Sequence, residues 1–116
     1  MALTWIEFKG QRILHNDFRG MTEDEMIRQL DEEIAQLRAE RGTSRMLVDV
    51  TEAGAGQRFM AAAKGKAKEI DALVDRQAIV GVDGLKGILL RAYNALGGGT
   101  LKPFDSETAA KEYLAS

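Results

Sequence analysis

Four polar side chains of this sequence lie where short apolar segments end: Asp49, Thr51, Asp83 and Asp105. In open α/β sheets, the carboxyl ends of parallel strands meet at one edge, and ligands bind there. Helices that begin at this edge present free backbone N–H groups to anions, and grouped carboxylates suit a hard cation such as Mg²⁺. The spacing therefore predicts a ligand-binding edge built from Asp49, Thr51, Asp83 and Gly84.

A simpler interpretation is available for three of these residues. Asp83 and Asp105 are typical helix caps, and Thr51 is typical of a turn. Asp49 interrupts an apolar strand, so a partly buried carboxylate there needs hydrogen-bond donors from a neighbouring turn. Further along, Tyr93 and Asn94 precede three glycines, 97 to 99. These glycines either end a helix or let the backbone approach a ligand closely. We predict both Tyr93 and Asn94 as ligand contacts.

Several kinds of chemistry find no support in the residue pattern. Cysteine is absent and His15 is the only histidine, so no transition-metal site is predicted. No serine lies in a G-x-S-x-G turn, which argues against a hydrolytic triad. The stretch from Gly54 to Phe59 resembles a dinucleotide fingerprint, but Phe59 occupies the position that needs glycine or alanine. We therefore predict no catalytic residues, no metal and no cofactor.

Composition narrows the class of protein. A chain of 116 residues that is 45% hydrophobic is predicted to form one domain, residues 1–116, with a single core. A net charge of −2 disfavours nucleic-acid binding. No apolar run approaches the roughly 20 residues of a membrane-spanning helix, and the N-terminus does not resemble a signal peptide. We expect a cytoplasmic protein with no integral membrane segment.

Alternating strand and helix patterns position the polar residues. Thr22 and Glu25 predict a capping box at the start of the first helix, and Gly42 predicts its end. The pattern indicates strands over 4–8, 12–18, 46–50, 78–82 and 100–104, and helices over 22–41, 57–74, 85–96 and 106–114.

This order predicts an α/β fold with a mixed, mostly parallel sheet of about five strands and an antiparallel N-terminal strand. If each strand lies beside the previous one, right-handed crossovers place the connecting helices on one face. The opposite face would then be partly open. Ile79 and Val80 point to opposite faces of the sheet, and exposing either apolar side chain to water is unfavourable. We therefore predict, on geometric grounds, a homodimer that covers the open face.

Residue strings over about 6–114 resemble the small bacterial SpoIIAA-like proteins, also called STAS-like. The strings that carry the resemblance are Asp17-Phe18, Leu47-Val-Asp-Val-Thr51, Ala78-Ile-Val-Gly-Val-Asp-Gly-Leu-Lys86, Tyr93-Asn94, Leu101-Lys-Pro-Phe-Asp105 and Ala109-Ala-Lys-Glu-Tyr-Leu114. The resemblance implies a STAS-like fold in a mostly uncharacterised family, related in fold to anti-anti-sigma factors and to lipid-transfer CRAL-TRIO domains. Where the former carry a phosphorylatable serine, this chain offers only Thr51.

The resemblance and the missing catalytic set favour a non-enzymatic module that binds a regulatory protein partner or a small, possibly lipid-like, ligand. The lipid version predicts a pocket between helices lined by Phe59, Leu89 and Tyr93. The alternative is a small enzyme or Mg²⁺-binding protein that uses carboxylates at the strand edge, with Asp49, Asp83 and Asp105 close together. A third hypothesis is phosphorylation at Thr51.

Overall fold

A computed structural model describes residues 2–97 and 101–116. These residues form five strands and four helices: β1 (Leu3–Phe8), β2 (Gln11–Asp17), α1 (Glu23–Arg38), β3 (Ser44–Asp49), α2 (Gln57–Leu73), β4 (Val74–Val80), α3 (Gly84–Gly97), β5 (Leu101–Phe104) and α4 (Glu107–Ala115). The predicted glycine loop extends into residues 98–100, which lie outside the described part, as does the predicted first residue of β5.

The strands lie in chain order, β1-β2-β3-β4-β5, in one sheet. β1 is antiparallel to β2, and the other three pairs are parallel. The predicted α/β architecture is therefore confirmed, including the antiparallel N-terminal strand. β3 is central, as its apolar faces predicted, and Pro103 lies in the edge strand β5, where a missing N–H is tolerated.

The first helix starts at the predicted capping box. The Thr22 side chain accepts a hydrogen bond from the Glu25 backbone N–H, and the Glu25 carboxylate accepts one from the Thr22 N–H. Met26, one turn into the helix, is completely buried. Local sequence alone therefore sets the position and the entry angle of α1.

The boundary between α2 and β4 differs from the prediction. The strand begins at Val74, directly after the helix, and ends at Val80 instead of Val82. The polar Asp75 and Arg76 interrupt the apolar run, so the sequence pattern did not predict the first half of the strand. Arg76 has a tertiary role in the fold, since its guanidinium donates to the Tyr113 carbonyl at the end of α4, at 3.0 Å.

The two faces of the sheet are both covered, which corrects the expectation of an open face. The connecting helices α1, α2 and α3 pack on the face that presents Leu14, Met46, Val48 and Ile79. The terminal helix α4 packs on the other face, where Ala110 and Leu114 bury Ile13, Leu47, Ala78 and Val80. The crossover rule constrains helices that connect two parallel strands, and α4 follows β5 without connecting two of the described strands. The geometric reason for expecting a homodimer is thereby removed.

Candidate functional site

The carboxyl ends of four strands stand in one row, as predicted. Asp17, Asp49, Val80 and Phe104 are paired in register from β2 to β5. The two acids are neighbours, and the Arg19 guanidinium bonds both oxygens of Asp17 at 2.9 and 2.8 Å and lies 3.8 Å from Asp49. The hydrogen bonds from Arg19 lower the pKa of Asp17. Arg19 therefore partly neutralises the negative charges of Asp17 and Asp49.

The Asp49 side chain is buried and has the turn donors that its position requires. Its Oδ1 accepts hydrogen bonds from the Thr51 backbone N–H at 3.0 Å and from the Thr51 hydroxyl at 2.7 Å. Gly81, which has a φ of +85°, lies against this turn, and a Cβ there would be 2.3 Å from Thr51 Oγ1. The arrangement explains Asp49 and Thr51 as residues that stabilise the turn after β3, which packs against Gly81 at the end of β4.

The same geometry bears on phosphorylation at Thr51. The residue is exposed, but its hydroxyl is bonded to a carboxylate. A phosphate on that oxygen would place two negative groups side by side, which is unfavourable. Modification at Thr51 stays a prediction, and the contact with Asp49 is the physical argument against it.

The remaining predicted edge residues are exposed. The Asp83 carbonyl accepts from the Lys86 N–H at 2.9 Å in the first turn of α3, which begins at Gly84. At α4 the cap is Ser106, whose hydroxyl accepts from the Ala109 N–H at 3.1 Å, and not Asp105. Across 2–97 and 101–116, no three His, Cys, Asp or Glu side chains are grouped so that they could hold a metal ion.

Tyr93 and Asn94, the last predicted ligand contacts, have separate surroundings. Both polar atoms of the Asn94 amide bond the backbone of Leu101, at 3.1 and 3.0 Å, so this side chain holds the start of β5 against α3. Tyr93 is buried and points into the helical side of the sheet. Tyr93 also lines a cavity on this side of the sheet, and the other predicted site residues are not among the described residues that line it.

That cavity lies between the sheet and the helices α1, α2 and α3, and it has a volume of about 80 Å³. Phe59, Leu89 and Tyr93, which the lipid hypothesis requires, all line it. Fully buried side chains form the inner part of the cavity, and half-buried side chains form its outer part. The half-buried side chains include Phe59, Val82, Lys86, Leu89 and Leu101. The wall is almost entirely apolar, which is typical of small-molecule pockets.

One end of the cavity is polar because Glu33 of α1 faces it. This side chain is only 2% exposed, and its Oε1 accepts a hydrogen bond from the Asn16 side-chain amide. Asn16 in turn accepts from Gln29, which also donates to the Asp17 carbonyl at 3.2 Å. Burial without a cation raises the pKa of Glu33 to about 8, and the Asn16 bond offsets only part of that effect.

Two further polar side chains line the same cavity. The buried Gln77 of β4 donates to Asp71 of α2 at 3.4 Å. Burial raises the pKa of Tyr93 to about 12, and the charges of Asp71 and Glu33 act in the same direction. The cavity therefore combines an apolar wall with a small set of buried hydrogen-bonding groups.

The sequence reasoning missed Glu33, Gln77 and Asn16. A signal was present, since Glu33 lies three residues after Leu30 and four before Leu37, on the apolar stripe of α1. Asn16 likewise follows Leu14 by two residues, on the inward face of β2. A polar residue at an inward position of an otherwise apolar pattern was the feature to follow.

No described helix combines the length and the apolar character needed to cross a membrane. Protein-family models, curated proteins and solved structures provide no match to this chain.

Proposed function

We propose that this protein is a non-enzymatic, STAS-like module that binds a small apolar molecule in the cavity between the sheet and helices α1, α2 and α3. The observation that carries the proposal is the cavity itself, since native interiors are close-packed and leave few voids larger than a water molecule. Its apolar wall would gain burial energy from an apolar guest. The STAS-like assignment rests on the residue strings given above.

The volume limits the kind of guest. A dry apolar cavity of about 150 Å³ holds benzene, so about 80 Å³ accommodates only a short molecule or the end of a longer one. A long-chain lipid would have to displace the half-buried Phe59 and Leu89 at the outer part of the cavity. We therefore favour a ligand of a few carbon atoms over a complete lipid.

A regulatory protein partner, the other version of the hypothesis, has less support. Among the side chains that the structure describes, Ile88 is the only large hydrophobic one that is exposed, at 56%. Protein interfaces usually have a core of several apolar or aromatic residues. We therefore place small-ligand binding first.

Filling the cavity tests the proposal. Ala63 of α2 lines the cavity and is buried, and Ala61 on the same helix is exposed. We expect cyclopentane or pentan-2-one to raise the thermal unfolding midpoint of the unchanged protein, because a ligand that binds only the folded state stabilises it. Ala63→Leu should abolish that shift, and the matched Ala61→Leu variant should retain it.

The outcomes are separable. Neither probe changing the midpoint of the unchanged protein would contradict the proposed function. An equal shift in all three proteins would mean that the probes bind elsewhere and would contradict it as well. Circular dichroism of the Ala63→Leu variant would establish that it is folded before its loss of binding is interpreted.

A further inference from the structure

Two polar atoms at the cavity have unused hydrogen-bonding capacity. Asn16 occupies Oε1 of Glu33, and within the described residues Oε2 accepts no hydrogen bond. The Tyr93 hydroxyl likewise makes no hydrogen bond to any residue that the structure describes. Neither atom is among the fully enclosed polar atoms without a partner, so both keep accessible surface, and both belong to residues that line the cavity. A ligand atom in the cavity can therefore be the partner of both.

The protonation of Glu33 decides what that ligand atom must be. No cation acts on its carboxyl group, and an isolated buried carboxylate is so unfavourable that the group takes up a proton instead. Because Oε1 accepts from Asn16, the proton belongs on Oε2. Glu33 and Tyr93 therefore both present O–H donors.

The other charged groups near the cavity do not alter this assignment. The Lys86 ammonium of α3 donates to the Val50 carbonyl at 2.9 Å. Asp71 of α2 accepts from Gln77 and, after the larger effect of burial, raises the pKa of Tyr93. Burial, and not a neighbouring charge, therefore favours the protonated form of Glu33.

We propose that the cavity binds a short, uncharged organic molecule with one carbonyl or hydroxyl oxygen, which accepts hydrogen bonds from Glu33 and Tyr93 while the carbon chain lies against the apolar wall. This inference rests on the proposed function and adds the chemical class of the ligand. A carboxylate would lose its hydration against an almost entirely apolar wall, and Lys86, the cation on that wall, already donates to the Val50 carbonyl. An amine would require Glu33 to ionise inside the core.

A series of five-carbon compounds with different polar groups tests the class. We expect pentan-2-one and pentan-1-ol to bind at least ten-fold more tightly at pH 6.5 than pentanoate or pentylammonium, measured by titration calorimetry or by chemical-shift changes. Tyr93→Phe should weaken pentan-2-one several-fold and leave cyclopentane unchanged, since cyclopentane has no acceptor oxygen.

The pH dependence provides a second readout. Ionised Glu33 no longer donates, so pentan-2-one should bind several-fold more weakly at pH 9.5, whereas Tyr93 keeps its proton there. Glu33→Gln retains a donor, because its amide nitrogen can take the place of Oε2, and should bind the ketone equally at both pH values.

Each contrary outcome has a distinct meaning. Pentanoate or pentylammonium binding as tightly as the ketone would overturn this inference, as would ketone binding to the unchanged protein that does not vary with pH. Cyclopentane binding without any binding of the four polar five-carbon compounds would also overturn it and leave the proposed function standing. Failure of cyclopentane and these four compounds together would overturn both.

Discussion

Replacing Glu33 with glutamine should stabilise the protein, and the gain should grow with pH. Glu33 is buried, and its pKa rises from 4.5 to about 8 in the folded state. Below pH 4.5 the group is protonated in the folded and the unfolded protein, so it does not make stability pH-dependent. Between these values the unfolded chain releases the proton and the folded protein retains it, so stability falls as pH rises.

The magnitude follows from the size of the shift. At about 1.4 kcal/mol per pKa unit, the rise from 4.5 to about 8 corresponds to a loss of about 5 kcal/mol above pH 8, and about 3 kcal/mol of it is present at pH 7. Glutamine has nearly the same shape and can still accept the Asn16 hydrogen bond, but it does not ionise. Such a difference would be a large part of the 5–15 kcal/mol typical of a domain.

Urea unfolding at pH 4, 7 and 9 measures the effect. The single tryptophan, Trp5, is half-buried and donates to Gln36 at 3.2 Å, so its fluorescence reports the transition. Glu32→Gln is the matched control, because it removes an exposed carboxylate one residue away on the same helix. We expect the Glu33→Gln gain to increase between pH 4 and pH 9 and the control to show no such increase.

Two results would refute the reasoning. A Glu33→Gln effect that is the same at every pH would mean that the side chain does not change its protonation on folding. A variant that is less stable than the unchanged protein at pH 9 would mean that the ionised carboxylate has a compensating partner in the fold.

Three other substitutions test the local geometry by the same unfolding measurement. Gly81→Ala should destabilise the protein by about 2 kcal/mol or more, because the φ of +85° and the contact with Thr51 leave no place for a Cβ; an unchanged midpoint would contradict the tight turn. Gly65→Ala, at an open position of α2, should instead stabilise by up to about 1 kcal/mol. Ser106→Ala should cost about 1 kcal/mol by removing the cap on the Ala109 N–H, and Ser106→Asp should restore most of it.

Local features of the fold were legible in the sequence because neighbouring residues decide them. The Thr22 capping box depends on contacts within one turn, and the structure contains it as predicted. Strands alternating with helices imply parallel crossovers, which the sheet confirms. The predicted boundary of β4 was wrong because Arg76 interrupts the apolar pattern of the strand. Its guanidinium makes a tertiary hydrogen bond to the end of α4, which the local sequence does not reveal.

The candidate site was only partly predictable. The lipid version of the hypothesis, which rests on the family resemblance, predicted a pocket lined by Phe59, Leu89 and Tyr93, and all three line the cavity. The sequence analysis gave more weight to Asp49 as a ligand contact. In the structure, the Asp49 carboxylate accepts a hydrogen bond from the Thr51 N–H in the same turn and lies 3.8 Å from the Arg19 guanidinium.

What the sequence alone determined is therefore the order, type and direction of the elements, since periodicity, caps and turns are local. The tertiary structure alone decided that α4 covers the second face of the sheet, because the crossover rule constrains only helices that connect two strands and α4 connects no two described strands. It also decided the chemistry of Glu33, which depends on which cations are near. That side chain is buried beside the Asn16 amide with no cation acting on it, and only the packing of β2 against α1 brings the two together.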